Sequence, residues 1–334
     1  MKFEALTVFL NRDCPRGCLQ CGLSDGSKRP LSIEKWKEAF QILYDLYGTK
    51  FFLFLGTEPL LLRGGLVDLV RWFAEHNLFY GFYSTSPEPL FTKYREVLLE
   101  AGLRNWSAGI DALPGMSTDE ATKKKVVESI QGLQWMANHG VQTFTVTTIH
   151  KRNLWVVPEI VGWLQKNVQG VLSTVNFIEW KRTPEFDFFS TKEQMLNLMW
   201  DSSEVEREQV RSVMSRMGWL ALQPGTHIQV PLGFFEAAHL HYDRLDDHCG
   251  GVLGPGVDCD GTLRLCGYST GLNVGKWSVF DLVDQEKSLA FERVWSEDLQ
   301  ACSGCHWVFH RVLRDDLRLL DPKSGIYQER WVKE

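Results

Sequence analysis

Short, continuously apolar runs alternate along the first half of the chain with longer stretches whose apolar residues recur every three or four positions. Residues 5–10 form the first run and are rich in strand formers. Ser32 then offers a helix cap, and Trp36, Phe40, Leu43, Tyr44 and Tyr47 follow a helical period up to Gly48. With Glu34 in the first turn, this predicts a helix over 33–47. Residues 51–55 are apolar throughout, which suits a strand buried on both faces of a parallel sheet. The alternation continues with helices predicted at 65–76, 91–101, 118–139 and 154–168. Strands are predicted at 79–84, 106–111, 141–149 and 171–180. Strands alternating with helices imply parallel pairing through right-handed crossovers, here in six βα units.

Residues 190–217 read as a more polar helix. Glu204, Glu206, Arg207, Glu208 and Arg211 fall at solvated-face spacing, as in a surface bridge between domains. Gln223-Pro-Gly-Thr226 reads as a break. The expected division is a core of 1–220 and a bridging and C-terminal domain of 221–334. No internal repeat or low-complexity segment interrupts either.

Composition narrows the class. The 334 residues are 44% hydrophobic and 23% charged, as in a globular protein with one large and one smaller domain. No apolar run approaches the roughly 20 residues that span a bilayer. Met1-Lys-Phe-Glu leads straight into the first strand, leaving no room for a signal peptide, so a cytoplasmic location is expected. The formal charge of −6 argues against a nucleic-acid partner and suits a cationic substrate. Thirteen tryptophans are expected mostly in the core. The eight cysteines cluster as 14/18/21, 249/259/266 and 302/305, a distribution that favours metal ligation over disulfides.

The first cluster, Cys14-Pro-Arg-Gly-Cys18-Leu-Gln-Cys21, directly follows the first strand. One tight loop of this spacing can turn three thiolates to one centre. A structural zinc site takes four protein ligands, so a zinc knuckle is the competing reading; three thiolates leave a corner of a cubane cluster open to a small molecule. One strand later comes Gly56-Thr57-Glu58-Pro59.

Together these two motifs resemble the radical S-adenosylmethionine (SAM) superfamily. The resemblance implies a partial (β/α)6 barrel with its site at the C-terminal ends of the strands. It implies a 4Fe-4S cluster on Cys14, Cys18 and Cys21 whose fourth iron binds SAM. It further implies that the Gly56, Thr57, Glu58 and Pro59 turn holds the SAM amino group, with Thr57 standing where the family has a second glycine. Gln20 stands where the family has an adenine-touching aromatic. Polar residues at the predicted strand ends are Ser84, Thr85, Ser86, Asp111, Thr147, Thr148, Asn153, Asn176 and Glu179. By position Ser84, Ser86, Asp111 and Thr147 are the candidate SAM contacts; a cap or turn role is the competing reading for each.

Downstream, Asp260-Gly261 between short apolar flanks signals a hairpin. With Cys249, Gly261, Cys266, Cys302 and Cys305 this segment resembles the twitch-type, SPASM-like auxiliary-cluster domain of the superfamily. The resemblance implies a second 4Fe-4S cluster on Cys249, Cys266, Cys302 and Cys305; zinc is the other candidate. One cysteine is left over. The family spacing makes it Cys259, although Cys259 and Cys266 flank one turn and Cys249 is then the spare. A spare thiol can return a hydrogen atom to a substrate radical, as radical epimerases require, or can simply pack.

The expected activity is reductive cleavage of SAM and hydrogen abstraction from a polar small molecule, with an aminosugar as candidate. Epimerisation with a cysteine donor is the first outcome. The alternatives are two-electron dehydrogenation through the auxiliary cluster, as in an aminocyclitol dehydrogenase, and modification of a ribosomal peptide. A leader-binding module is not expected at either end. A flavodoxin- or ferredoxin-like reductant is the expected protein partner. The non-enzymatic alternative is a metal-binding redox or partner protein.

Overall fold

In the computed structural model, six strands run parallel in chain order with helices between them. The structure describes residue 3 and residues 5–16, 28–55, 57–116, 120–177, 204–228, 254–266 and 273–301. The strands are β1 (Ala5–Val8), β2 (Phe51–Phe54), β3 (Phe79–Phe82), β4 (Asn105–Gly109), β5 (Gln142–Ile149) and β6 (Leu172–Phe177). Between them lie α1 (Ile33–Tyr47), α2 (Gly64–Glu75), α3 (Leu90–Glu100), α4 (Glu120–Asn138) and α5 (Val157–Asn167). β1, β2 and β3 pair in register, as do β4, β5 and β6. A parallel bridge from Tyr83 to Ser107, with the Ser84 amide 2.8 Å from the Ser107 carbonyl, joins the two sheets.

Helix α1 begins where the cap pattern predicts. The Ser32 hydroxyl accepts the Lys35 amide, and Gly48 closes the helix at φ 69°. Its buried stripe of Trp36, Phe40 and Leu43 meets Phe52 and Phe54 of β2 and Phe73 of α2. The aromatic layer continues through Tyr80 and Phe82 to Trp106, with ring centroids 4.9 to 6.2 Å apart. Each such side chain contributes about 1.5–3 kcal/mol on burial, so this layer holds α1 and α2 against β2 and β3 and ties them to β4. Of the tryptophans, Trp36, Trp106 and Trp295 are core, whereas Trp155 and Trp219 are exposed.

β3 ends at Phe82 rather than 84, because Ser84 and Thr85 turn inward to bond a buried carboxylate. The helix expected at 154–168 starts with a 3-10 turn, Leu154–Val156, and becomes α-helical only at Val157, next to Pro158 in the first turn where its missing N–H costs nothing.

Helix α6 (Glu204–Ala221) is less solvated than expected. Val210, Val213, Met214 and Met217 are all fully buried, at the i, i+3, i+4, i+7 spacing of a core-facing helix. It therefore packs on the α5 side of the fold, where Arg216 reaches Glu159 at 2.6 Å. Residues 190–203 of the expected helix lie outside the described residues. The chain turns at Gly225, φ 79°, as the Pro-Gly break requires.

On the other edge, β7 (Gly256–Val257) pairs in parallel with β1, and β8 (Leu263–Arg264) returns antiparallel to it. The hairpin turn falls at Asp260-Gly261 as predicted. Gly261 adopts φ 84°, and its amide donates to the Asp258 carbonyl. A final helix, α7 (Gln285–Ala301), follows, and its Trp295 ring N–H donates to the Leu265 carbonyl. Among the described residues no helix is long and apolar enough to cross a membrane.

Candidate active site

The first cysteine loop leaves β1 beside the turn that follows β2. The Glu58 amide donates to the Asp13 carbonyl at 3.2 Å, and the Asn11 side-chain amide donates to the Glu58 carbonyl at 3.2 Å. These two bonds tie the entry of the cysteine loop to the Thr57-Glu58-Pro59 turn. Cys14 is half-buried and is not in a disulfide. Cys18, Gln20, Cys21 and Gly56 lie outside the described residues.

Thr57 has φ 63°, a left-handed conformation that β-branched residues rarely adopt. The turn thus demands at this position the backbone that glycine supplies without strain. Pro59 opens a buried 3-10 turn, Pro59–Leu62.

Glu58 is fully buried, and its carboxylate has four donors. Oε1 accepts the Leu60 amide at 3.1 Å and the Ser84 hydroxyl at 2.8 Å. Oε2 accepts the Thr85 amide at 2.8 Å and the Thr85 hydroxyl at 2.9 Å. Burial pushes its ionisation above the ordinary carboxylate range, against the pull of these hydrogen bonds. Four donors fill the acceptor sites of one carboxylate. Its side chain locks the β2 turn to the end of β3.

Ser84 and Ser86 lie in the same knot. The Ser86 amide donates to the Ser84 hydroxyl at 3.0 Å, and the Trp106 ring N–H donates to Ser86 Oγ at 3.3 Å. Both serines are buried, so their hydroxyls support the turn from beneath. Gly132 of α4 makes room for this: a Cβ there would sit 1.9 Å from Ser86 Oγ.

Three residues that sequence reasoning did not single out complete the knot. Arg16, inside the cysteine loop, donates to the Thr85 hydroxyl at 3.0 Å and pairs with Glu128 of α4. Ser129 donates to the Thr85 carbonyl. The available signal was Glu128, Ser129 and Gly132 on one face of a helix: small and polar residues where an apolar stripe is the norm.

At the ends of β4 and β5, Asp111 Oδ1 accepts the Thr148 amide at 2.8 Å, and Oδ2 lies 3.6 Å from Lys125. Asn153 donates to the Asp111 and Thr148 carbonyls. The neighbouring His150 is held below its ordinary range by burial, with the Asp111 charge opposing. Burial alternates along β5, and Thr147 is fully buried with its hydroxyl donating to the Ile110 carbonyl at 2.8 Å. Nothing is described of the Asn176 side chain, and Glu179 lies outside the described residues.

Of the second cysteine group, Cys259 and Cys266 are described; Cys249, Cys302 and Cys305 are not. Cys259 is fully buried in the hairpin turn, its sulfur 3.8 Å from the Lys28 carbonyl and its own carbonyl accepting the Leu31 amide. Burial and the charges of Asp258 and Asp260 push its thiol up to about 12. Among the described residues no group of three or more His, Cys, Asp or Glu is placed to hold a metal ion.

The described part of the site brings Cys14 and the Thr57 turn together at the ends of β1 and β2. A thiol stands at the mouth of β1, and a turn that only glycine-like backbone can form is bonded next to it. The family model of the radical SAM superfamily matches residues 8–164. Those residues form a radical SAM domain. Members of this superfamily are enzymes that work with SAM and a 4Fe-4S cluster.

Solved structures agree on the fold of this radical SAM domain and its surroundings. SuiB of Streptococcus suis bound to S-adenosylmethionine superposes with TM-score 0.56 at 12% identity, covering 78% of this chain and 60% of SuiB. SuiB bound to its precursor peptide SuiA gives 0.57 at 11% identity, over 78% of this chain and 59% of that one. The chain thus spans about three fifths of SuiB. Native anSMEcpe with bound AdoMet and Cp18Cys peptide gives 0.53 at 12% identity, over 87% of this chain and 82% of that one. No curated protein matches the chain in sequence.

Proposed function

We propose that the protein reductively cleaves SAM at a cluster held by Cys14, Cys18 and Cys21 and abstracts a hydrogen atom from an unactivated C–H bond of a polar substrate. The observation that carries this is the pair of hydrogen bonds joining Asn11 and Asp13 to Glu58. They set the entry of the cysteine loop beside the Thr57 turn at the C-terminal ends of adjacent parallel strands. When bound, the cluster and SAM supply the radical; the chain's own residues hold and enclose it. Arg16, Glu128, Thr85 and Glu58 fix the loop and turn, and Asp111 with Lys125 and His150 forms the polar rim at the ends of β4 and β5. The strands belong to a partial (β/α)6 barrel, and residues beyond 220 carry a twitch-type auxiliary cluster on Cys249, Cys266, Cys302 and Cys305.

The fate of the substrate radical turns on the spare cysteine. A hydrogen donor must reach the substrate, whereas the Cys259 thiol is enclosed between the hairpin and the Lys28–Leu31 backbone. That enclosure favours Cys249 as a cluster ligand and Cys259 as packing, and with them two-electron dehydrogenation of an aminosugar or aminocyclitol. Epimerisation is the second reading and requires Cys249 as the donor with Cys259 ligating. A peptide is the other substrate class to assay, because SuiB and anSMEcpe were both solved with peptides bound.

The test is anaerobic reconstitution, reduction by dithionite or a flavodoxin, and assay for 5'-deoxyadenosine. Wild type should form it and Cys14→Ala should not; iron-free wild-type protein, or iron-loaded protein that leaves SAM intact, refutes the reading. Turnover in deuterated water then separates the outcomes: one deuterium at an inverted carbon means epimerisation, and none at a new carbonyl carbon means dehydrogenation.

A further inference from the structure

Asp258 stands at the start of the hairpin turn, and cations from three separate segments converge on its carboxylate. Arg12 Nε donates to Oδ1 at 2.9 Å and Nη2 to Oδ2 at 2.7 Å. Arg264 Nη1 donates to Oδ2 at 3.0 Å, and Lys28 Nζ lies 3.0 Å from the same oxygen and 3.1 Å from Asp260. Both guanidinium groups also lie over the Phe9 ring, Arg12 at 4.8 Å and Arg264 at 5.1 Å from its centroid. Arg12, Asp258 and Arg264 are each no more than 2% exposed.

The spacing connects this cluster to the cysteines. Arg12 is two residues before Cys14, and Arg264 is two residues before Cys266. Asp258 precedes Cys259, whose amide donates to Oδ1 at 2.8 Å. One carboxylate thus anchors both cysteine-bearing segments, and three cations face two carboxylates there. Well-packed apolar residues would stabilise the same space at least as well as buried ions. What apolar residues would not supply is a fixed field: charge inside a low-dielectric interior acts over several ångströms, and cluster potentials respond to nearby charge and hydrogen bonds.

We propose that Asp258 is a positioning residue for the Cys14 loop, and that the Arg12–Asp258–Arg264 cluster sets the reduction potential of the iron-sulfur group bound there. This rests on the SAM-cleaving reading above. Removing the carboxylate leaves excess positive charge and eases reduction; removing one guanidinium does the opposite.

The experiment is a reductive titration of anaerobically reconstituted full-length protein, following the EPR signal that changes when SAM is added. Asp258→Asn should move its midpoint to more positive potential and Arg264→Gln to more negative, with iron and labile sulfide per chain unchanged. Opposite signs are the readout that a merely structural role does not produce. Midpoints equal to wild type, or shifts of the same sign in both variants, overturn the proposal. Where Asp258→Asn does not fold, Arg264→Gln decides: a negative shift upholds it, and a zero or positive shift overturns it. Wild-type protein that binds no iron, or never cleaves SAM, overturns the underlying reading and this one together. Iron-loaded, SAM-cleaving protein with immobile midpoints overturns this one alone.

Discussion

Thr85 gives both its amide and its hydroxyl to one oxygen of Glu58, at 2.8 and 2.9 Å, across the gap between the ends of β2 and β3. Replacing Glu58 by Gln puts an amide NH2 among donors and leaves at least one of them without an acceptor. The expected loss is about 1–3 kcal/mol of folding stability, measured by urea denaturation of the iron-free protein. Unchanged stability would mean the carboxylate is not the lock described.

Gly132 should tolerate no side chain. A Cβ 1.9 Å from Ser86 Oγ forces α4 or the Ser84–Ser86 knot to move. Gly132→Ala is expected to cost about 1–3 kcal/mol and to weaken SAM binding as the knot shifts, read by thermal melting and equilibrium dialysis.

Thr57 should gain from the opposite change. Its φ of 63° is strained for a β-branched residue. Thr57→Gly is expected to raise stability by up to about 1 kcal/mol, partly offset by glycine's greater unfolded-state freedom, while SAM cleavage persists. A destabilised variant would show that Thr57 side-chain contacts outweigh the strain.

Acid stability should depend on Asp258. Burial opposes its ionisation, but the hydrogen bond from Arg12 and the charges of Arg264, Arg12 and Lys28 prevail, holding it well below the usual carboxylate range. A depressed carboxyl contributes stability that is fully present above its unfolded value of about 3.9 and is lost as pH falls toward its folded value. Asp258→Asn should therefore be less stable at neutral pH and should lose less than wild type between about pH 4 and pH 2, seen in urea midpoints across that window.

Cys259 should resist modification. With its thiol pushed up to about 12 and no exposed surface, it stays protonated and shielded at pH 8. In iron-free folded protein, peptide mapping after iodoacetamide should find it unlabelled until denaturant is added. Rapid labelling of the folded state would remove the enclosure that favours dehydrogenation.

The regular part of the fold was legible because its signals are local. Ser32 and Gly48 bracket α1, the apolar run at 51–54 forms β2 with Phe52 and Phe54 buried and Phe51 and Leu53 half-buried, and Asp260-Gly261 makes the hairpin turn. The motif residues were legible as a set, but their division of labour was not. Nothing in the spacing of Glu58, Ser84 and Thr85 tells that they bond one another across 26 or 27 residues, nor that Thr147 faces away while Thr148 meets Asp111. The Arg12–Asp258 pair was least visible, because a contact 246 residues apart leaves no periodic trace.

The parallel pairing of Thr7 and Val8 with Gly256 and Val257 means that β1 has neighbours on both sides only once some 250 residues have been made. A chain cut near residue 220 would leave that flank of β1 bare, an open edge ready to recruit another molecule. During synthesis the same vulnerability lasts until the hairpin emerges.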